Sequence, residues 1–332
     1  MTTENLIARL VEPGRFEFFR EPIQDPMHDQ VVIKLVVSGI CSSEIPFFLG
    51  DAKADSKMFV KYSNYPLQLG HETSGEVVAV GSSVKKFKTG DMVTGFTSYG
   101  SGFATHFVEK ESNLVKIPDH IDPVMALGEP LMCAVNILRS SEPEIGENVV
   151  IIGDGFMGLL MVQLFARFPL KSLTVIGMIP EKLRLAKEFG ANHVVSFQDK
   201  IALKHINDDI LKGQGADTVI ELAGNHQALE VAAWLIKSHR GKLVIPAFYG
   251  KPEPFTIGGY LMRKGPRLIP AHPAYSKNIV EDLERAIWAL GEGIFTLGKL
   301  ITHRFVFDQL QYAFETVSAK PDDCIKAVIL LP

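Results

Sequence analysis

The sequence predicts an α/β protein: a doubly wound parallel sheet joined to a second, mostly β domain that it interrupts. Three observations carry this. The stretch NVVIIGDGFMGLLMVQLFA, residues 148–166, runs from a short β-branched segment through Gly153, Gly155 and Gly158 into an apolar segment of helical length. From Val149 onward, short apolar runs alternate with helix-length amphipathic segments, the pattern of parallel strands joined by crossover helices. Finally, the apolar run Ala327 to Leu331 has no helical partner of its own and most naturally returns to the strand-rich N-terminal part. These features place the first part of the β domain at 1–130, the doubly wound sheet at 131–270 and the returning segment at 271–332.

Taken in order, residues 5–40 read as β. Leu6 to Val11 and Val31 to Val37 are extended apolar runs, with Pro22, Asp25 and Pro26 punctuating between them. Gly90-Asp91 is a turn before a strand at Met92 to Phe96. Beyond the glycine motif, strands are expected at Leu173 to Ile176, Val194-Val195, Thr218 to Leu222 and Lys242 to Pro246, with an edge strand at Arg267 to Pro270. Helices are expected over 181–189, stopped at Gly190, over roughly 226–238 and over 279–290.

Composition narrows the function classes. At 332 residues the chain exceeds one ordinary core. Hydrophobic content of 46%, charged content of 22% and a net charge of −4 describe a soluble globular protein without the basic footprint of a nucleic-acid binder. The uncharged run from Gly155 to Ala166 is too short to cross a bilayer, and the N-terminus does not read as a signal peptide. Cys41, Cys133 and Cys324 are widely separated and form neither a disulfide framework nor a C-x-x-C knuckle. The expectation is a cytoplasmic protein with no nucleic-acid or membrane partner.

The glycine motif reads as G-x-G-x-x-G between a strand and a helix, the context of dinucleotide binding. Gly153 allows the tight turn, Gly155 lets the backbone approach a pyrophosphate, and Gly158 lets the helix pack closely on the strand. Phe156 and Met157 open that helix, whose unpaired N–H groups and positive dipole end suit phosphates. Outside this half, Cys41, His71, Glu72 and Glu129 are potential metal ligands. Singly, each has an ordinary explanation: a small core thiol, a turn, a loop acid. Together they form the mixed sulfur, nitrogen and oxygen set that zinc accepts.

The segments Ser38-Gly-Ile-Cys41-Ser-Ser43-Glu44, Gly70-His71-Glu72, Val80-Gly81 through Gly90-Asp91, Glu129-Pro130-Leu131 and Leu300-Ile-Thr-His303-Arg-Phe, together with the glycines, resemble the medium-chain dehydrogenase/reductase superfamily, and within it the zinc-dependent sorbitol and threonine dehydrogenase branch. The resemblance runs through essentially the whole chain. It implies a GroES-like catalytic domain, a Rossmann domain and a homodimer or homotetramer. It also implies that Cys41, His71 and Glu72 are zinc ligands, with Glu129 as a fourth ligand or the holder of the metal water. Ser43 matches the hydroxyl that accepts the substrate proton, and Glu44 an acid that orients the ligand histidine. The implied reaction interconverts a secondary alcohol (polyol, sugar or amino alcohol) and its ketone by hydride transfer. Zinc-free quinone or enoyl reductases on the same fold, and non-catalytic cofactor-binding relatives, are the alternatives.

Departures from the family pattern are specific. No cysteine lies between Val80 and Glu129, so the four-cysteine structural zinc lobe is absent and one catalytic zinc is expected. Pro46 stands where many relatives carry a proton-relaying histidine, leaving the cofactor ribose, water or a group such as His272 to take the proton from Ser43. The tip of the second strand, Ile176-Gly177-Met178-Ile179-Pro180, carries no acid for an adenosine ribose. With Lys182 nearby, this favours NADP over NAD, the alternative being Lys182 as a solvated helix residue and Glu181 as the ribose partner. Lys326 matches a cation that reaches the pyrophosphate, while Ala223, Pro246 and Ala247 fall at strand ends that would line the nicotinamide. Phe47, Phe48, Phe96 and Tyr99 would give the pocket an apolar component, although Phe residues near a strand are more often core than pocket.

Overall fold

The computed structural model describes residues 4–51, 64–97, 101–247 and 259–332. Tyr99 lies outside them. The chain divides into one unit made of 1–131, 283–292 and 297–332, and another made of 132–282 and 293–296.

In the first unit, β1 (Glu4–Glu12) and β2 (Arg15–Pro22) form an antiparallel ribbon. A seven-stranded sheet is built from β3 (Gln30–Gly39), β4 (Glu72–Val80), β5 (Met92–Phe96), β6 (His106–Lys110) and β7 (Leu114–Lys116), completed by two strands from the end of the chain. β3 is the organising strand: β4 and β6 pair with it antiparallel, and so does the C-terminal strand. Its sequence QVVIKLVVSG is buried at seven of its ten positions, as suits a central strand.

The second unit contains β8 (Asn148–Ile152), β9 (Ser172–Gly177), β10 (His193–Ser196), β11 (Thr218–Glu221), β12 (Lys242–Ile245) and β13 (Arg267–Pro270). All pair parallel, in the order β10-β9-β8-β11-β12-β13. Counted within the unit this is 3-2-1-4-5-6, the doubly wound order whose strands reverse direction of winding at β8 and β11. Val149 to Ile152 are at most 1% exposed, which explains their unbroken β-branched character. The helix Phe156–Phe165 follows β8 and is buried nearly all round. Among the described residues, no helix is long and apolar enough to cross a membrane.

The final strands, β14 (Ile301–Val306) and β15 (Lys326–Leu330), belong to the first unit, and β15 pairs with β3. The C-terminal apolar run is therefore a β3 partner, as its lack of a local partner suggests. The segment Ala271–Asp282 belongs to the second unit rather than to the returning part. Polar contacts hold it there: Asn136 Nδ2 donates to the Ala271 carbonyl at 2.9 Å, and Arg139 pairs with the buried Asp282. Thr296 is tied in as well, its N–H donating to Gln163 Oε1 at 2.6 Å.

A charge at the foot of β5 gives the first unit a pH signature. Asp91 accepts from Lys116 Nζ at 2.7 Å and from the Lys88 N–H at 2.9 Å. The lysine hydrogen bond, then the backbone one, hold its carboxyl below the usual carboxylate value. A depressed folded-state value contributes stability above the unfolded value and loses it as pH falls through the folded one. Because Lys116 is about half exposed, solvent screening keeps the effect small. Denaturant melts from about pH 5 to about pH 2 are expected to show a smaller acid loss in Asp91→Asn than in the wild type; parallel loss would refute this.

Candidate active site

The β3–β4 register assembles the site. Gly39, the last residue of β3, lies opposite Glu72, the first of β4. Two residues beyond Gly39 comes Cys41, and immediately before Glu72 comes His71. Their ligand atoms (one from Cys41, one from His71, one from Glu72) lie within 4.8 Å of one another. Sulfur, imidazole nitrogen and carboxylate oxygen brought that close fit zinc, and a modest contraction reaches bonding distance.

Glu44 holds both ligand segments in place. Its Oε2 accepts the Cys41 N–H at 3.1 Å, its Oε1 accepts the Gly70 N–H at 2.6 Å, and Oε1 stands 3.2 Å from His71 Nδ1. Glu44 is buried, and Gly70 adopts φ +91° beside the Phe103 and Gly102 backbone, where a side chain would collide. One carboxylate thus fixes a turn, a strand entry and an imidazole, leaving His71 Nε2 for a metal. The Cys41-x-x-Glu44 spacing has the form of a capping box. The family's acid here is one methylene shorter, and the geometry shows that Glu44 reaches. Burial works against charge on His71, but Glu44 and then Cys41 outweigh it and raise its pKa well above the usual imidazole value. Glu44→Gln keeps the size and loses the charge; titration with a competing chelator should show zinc affinity weakened about 10–100-fold, and unchanged affinity would refute the orienting role.

The remaining assigned residues fall as follows. Ser43 Oγ donates to Cys41 Sγ at 3.1 Å, so its hydroxyl lies beside the candidate ligands. Glu129, half-buried in the first turn of the helix Gly128–Ser141, is not one of the three clustered ligands, but its charge reaches Lys326. Lys326 itself, assigned from sequence to a pyrophosphate, is buried at the start of β15. Its ammonium pairs with Glu72 Oε2 and donates to the Ile40 carbonyl at 2.9 Å. Burial opposes its charge, yet Glu72, Cys41 and Glu129 raise its pKa. Gly39 carries no side chain because one would run into Glu72 Oε2 and Lys326 Cε. Phe47 and Phe48 are buried in an apolar cluster with Phe16, Phe103 and Phe314, so they build core instead of lining a pocket. Phe96 ends β5 opposite Glu72.

In the second unit, the glycines divide their tasks as the motif requires. Gly153 has φ +121° and packs against the Leu222–Ala223 backbone. A Cβ on Gly158 would overlap the Gly153 carbonyl oxygen. One on Gly155 would meet nothing within 4 Å, so packing within the protein does not demand that glycine. Gly158→Ala should cost about 1–3 kcal/mol in denaturant melts; an unchanged midpoint would refute the close approach. Phe156 and Met157 open the helix, Lys182 lies half-buried near the start of the helix Pro180–Glu188, and Gly177 ends β9. Ala223 follows β11, its N–H donating to Glu221 Oε1 at 2.7 Å, and Pro246 and Ala247 follow β12. All three sit at the carboxyl ends of parallel strands, where such sheets bind ligands.

The sequence matches the alcohol dehydrogenase GroES-like domain over residues 27–119 and the zinc-binding dehydrogenase family over 157–286. The chain belongs to the zinc-type medium-chain dehydrogenase/reductase family. As a member it is an NAD(P)-dependent oxidoreductase interconverting alcohols and ketones. It is 28% identical to an uncharacterized zinc-type alcohol dehydrogenase-like protein of Escherichia coli, YdjJ, covering 98% of this chain and 99% of that protein. It is 27% identical to sorbitol dehydrogenase of Bacillus subtilis, covering 93% and 92%. Galactitol-1-phosphate dehydrogenase of E. coli superposes with a TM-score of 0.85 at 25% identity, covering 98% and 99%.

Proposed function

We propose that this dehydrogenase acts on a secondary alcohol of the polyol, sugar or amino-alcohol class, or on the matching ketone, with one zinc held by Cys41, His71 and Glu72. The observation that carries this reading is the convergence of those three ligand atoms within 4.8 Å. The sugar-alcohol substrates named for relatives support the substrate class.

Within this reading each residue has a task. Cys41 and His71 would hold the metal, with Glu44 fixing both segments. Glu72, already paired with Lys326, would be the third residue to hold it. Glu129 would hold a metal-bound water or approach as a further ligand. Bound zinc would polarise the substrate oxygen as a Lewis acid, and the nicotinamide would exchange hydride with the carbinol carbon. Ser43 Oγ would take the hydroxyl proton. Pro46 cannot titrate, so that proton leaves by water, the cofactor ribose or another group such as His272. Gly153, Gly155 and Gly158, with the turn opened by Phe156 and Met157, would bind the dinucleotide pyrophosphate. Ala223, Pro246 and Ala247 would line the nicotinamide.

The sequence features at the tip of β9 favour NADP, with Lys182 as the cation for its 2′-phosphate. The structure also brings the Asp154 carboxylate to that tip. Assembly as a homodimer or homotetramer would use the open edge at β13, where Leu268 is 49% exposed.

Metal analysis of protein purified without chelator, paired with turnover on a panel of polyols and ketones, tests the reading. One zinc per chain and chelator-sensitive turnover are expected. Full turnover in metal-free protein would overturn it.

A further inference from the structure

The acid that a dinucleotide-binding unit ordinarily carries at the end of its second strand is missing from the sequence of β9, but not from that place in space. Asp154, the residue between the first two motif glycines, turns its side chain across to the β9 tip. Its Oδ2 accepts the N–H groups of Met178 and Ile179, both at 2.8 Å. It is buried, at 8% exposure. A side chain on Gly177 would come within 2.5 Å of Asp154 Cβ and Cγ. Asp154 therefore fills the volume that a residue-177 side chain would use. Both bonds fall on Oδ2, which leaves Oδ1 as the oxygen for an incoming hydroxyl donor.

We propose that Asp154 is the ribose-binding acid of this enzyme and makes it select NAD over NADP. This rests on the reading of the second unit as a nicotinamide-dinucleotide site. The physical argument has two parts. Backbone N–H groups at the tip of the second strand are the donors a 2′-phosphate would need, and Asp154 already engages those of Met178 and Ile179. A buried carboxylate there also repels a phosphate dianion, while it accepts hydrogen bonds from the free 2′- and 3′-hydroxyls of NAD. Lys182, on the adjacent helix, would have to overcome that fixed negative charge to hold a 2′-phosphate. The preference drawn from the bare tip of β9 is thereby reversed, because the acid enters from the glycine turn.

Equilibrium binding tests this without turnover. Calorimetric titration of the purified enzyme with ADP-ribose and 2′-phospho-ADP-ribose, and fluorescence titration with NADH and NADPH, should show the unphosphorylated member of each pair bound at least about tenfold more tightly. Asp154→Asn retains an oxygen for the Met178 and Ile179 N–H groups, so it preserves the turn and removes the charge. That variant should bind NADH about tenfold more weakly and lose most of the discrimination, with NADPH binding unchanged or improved. Equal or tighter binding of the 2′-phosphorylated ligands by the wild type would overturn the proposal. So would Asp154→Asn weakening both ligands of a pair equally, the mark of a purely structural cap. Failure of the wild type to bind any of the four would instead overturn the dinucleotide-site reading, and the proposal with it.

Discussion

Replacing Cys41 with alanine is expected to leave the protein folded, metal-poor and at least about a thousandfold slower in kcat/KM. The side chain is small and half-buried beside Ser43, so truncation opens little cavity. What is lost is the softest of the three clustered ligands, the one that most distinguishes a zinc site from a carboxylate pair. Lewis-acid polarisation contributes several kcal/mol to the transition state, and each ~1.4 kcal/mol is a factor of ten. Metal-to-protein ratio by mass spectrometry, read beside turnover and a far-ultraviolet spectrum, checks the prediction. A full complement of zinc in a Cys41→Ala protein of normal activity would remove the sulfur from the metal centre and sink the zinc assignment.

Replacing Lys326 with methionine is expected to destabilise the protein by several kcal/mol. The Lys326 and Glu72 side chains are 4% and 2% exposed, so each desolvated charge relies on the other. Removing only the cation leaves a buried carboxylate uncompensated, which costs about 3–5 kcal/mol. The same loss should make the protein depend on zinc: a metal ion bound beside Glu72 supplies the missing positive charge. Urea melts of chelator-treated protein should show the full deficit, and saturating zinc should restore a substantial part of it. A deficit below about 1 kcal/mol would place this among ordinary surface substitutions and refute the paired burial. A deficit that zinc leaves untouched would separate Glu72 from the metal.

The elements of both units were largely legible because their signals are local. A parallel strand buried on both faces must be apolar throughout, and Val149 to Ile152 are. The strand at Arg267–Pro270 and the helix starting at Ile279 follow from period and punctuation in the same way. The site was legible in its parts. His71-Glu72 and Cys41-Ser-Ser-Glu44 are short enough to read as motifs, and the family resemblance joins them. The aromatic pair Phe47-Phe48 was harder, because an apolar side chain in a short helix serves a core or a pocket equally well until its neighbours are known. The boundary near 270 likewise depended on Asn136 and Arg139, more than a hundred residues earlier, reaching across to Ala271 and Asp282.

By itself the amino-acid order determined that this chain carries a G-x-G-x-x-G turn, a candidate zinc ligand set and no cysteine between Val80 and Glu129, since each is a matter of residue type and spacing. Only the tertiary structure decided which charges meet. The β3–β4 register sets Gly39 against Glu72, β15 brings Lys326 to the same carboxylate from the far end of the chain, and Asp154 crosses from β8 to the tip of β9. Side-chain electrostatics depend on distances of a few ångströms between residues that sequence separation does not constrain. That is why Lys326 meets Glu72 and why an acid absent from β9 is nonetheless present at its end.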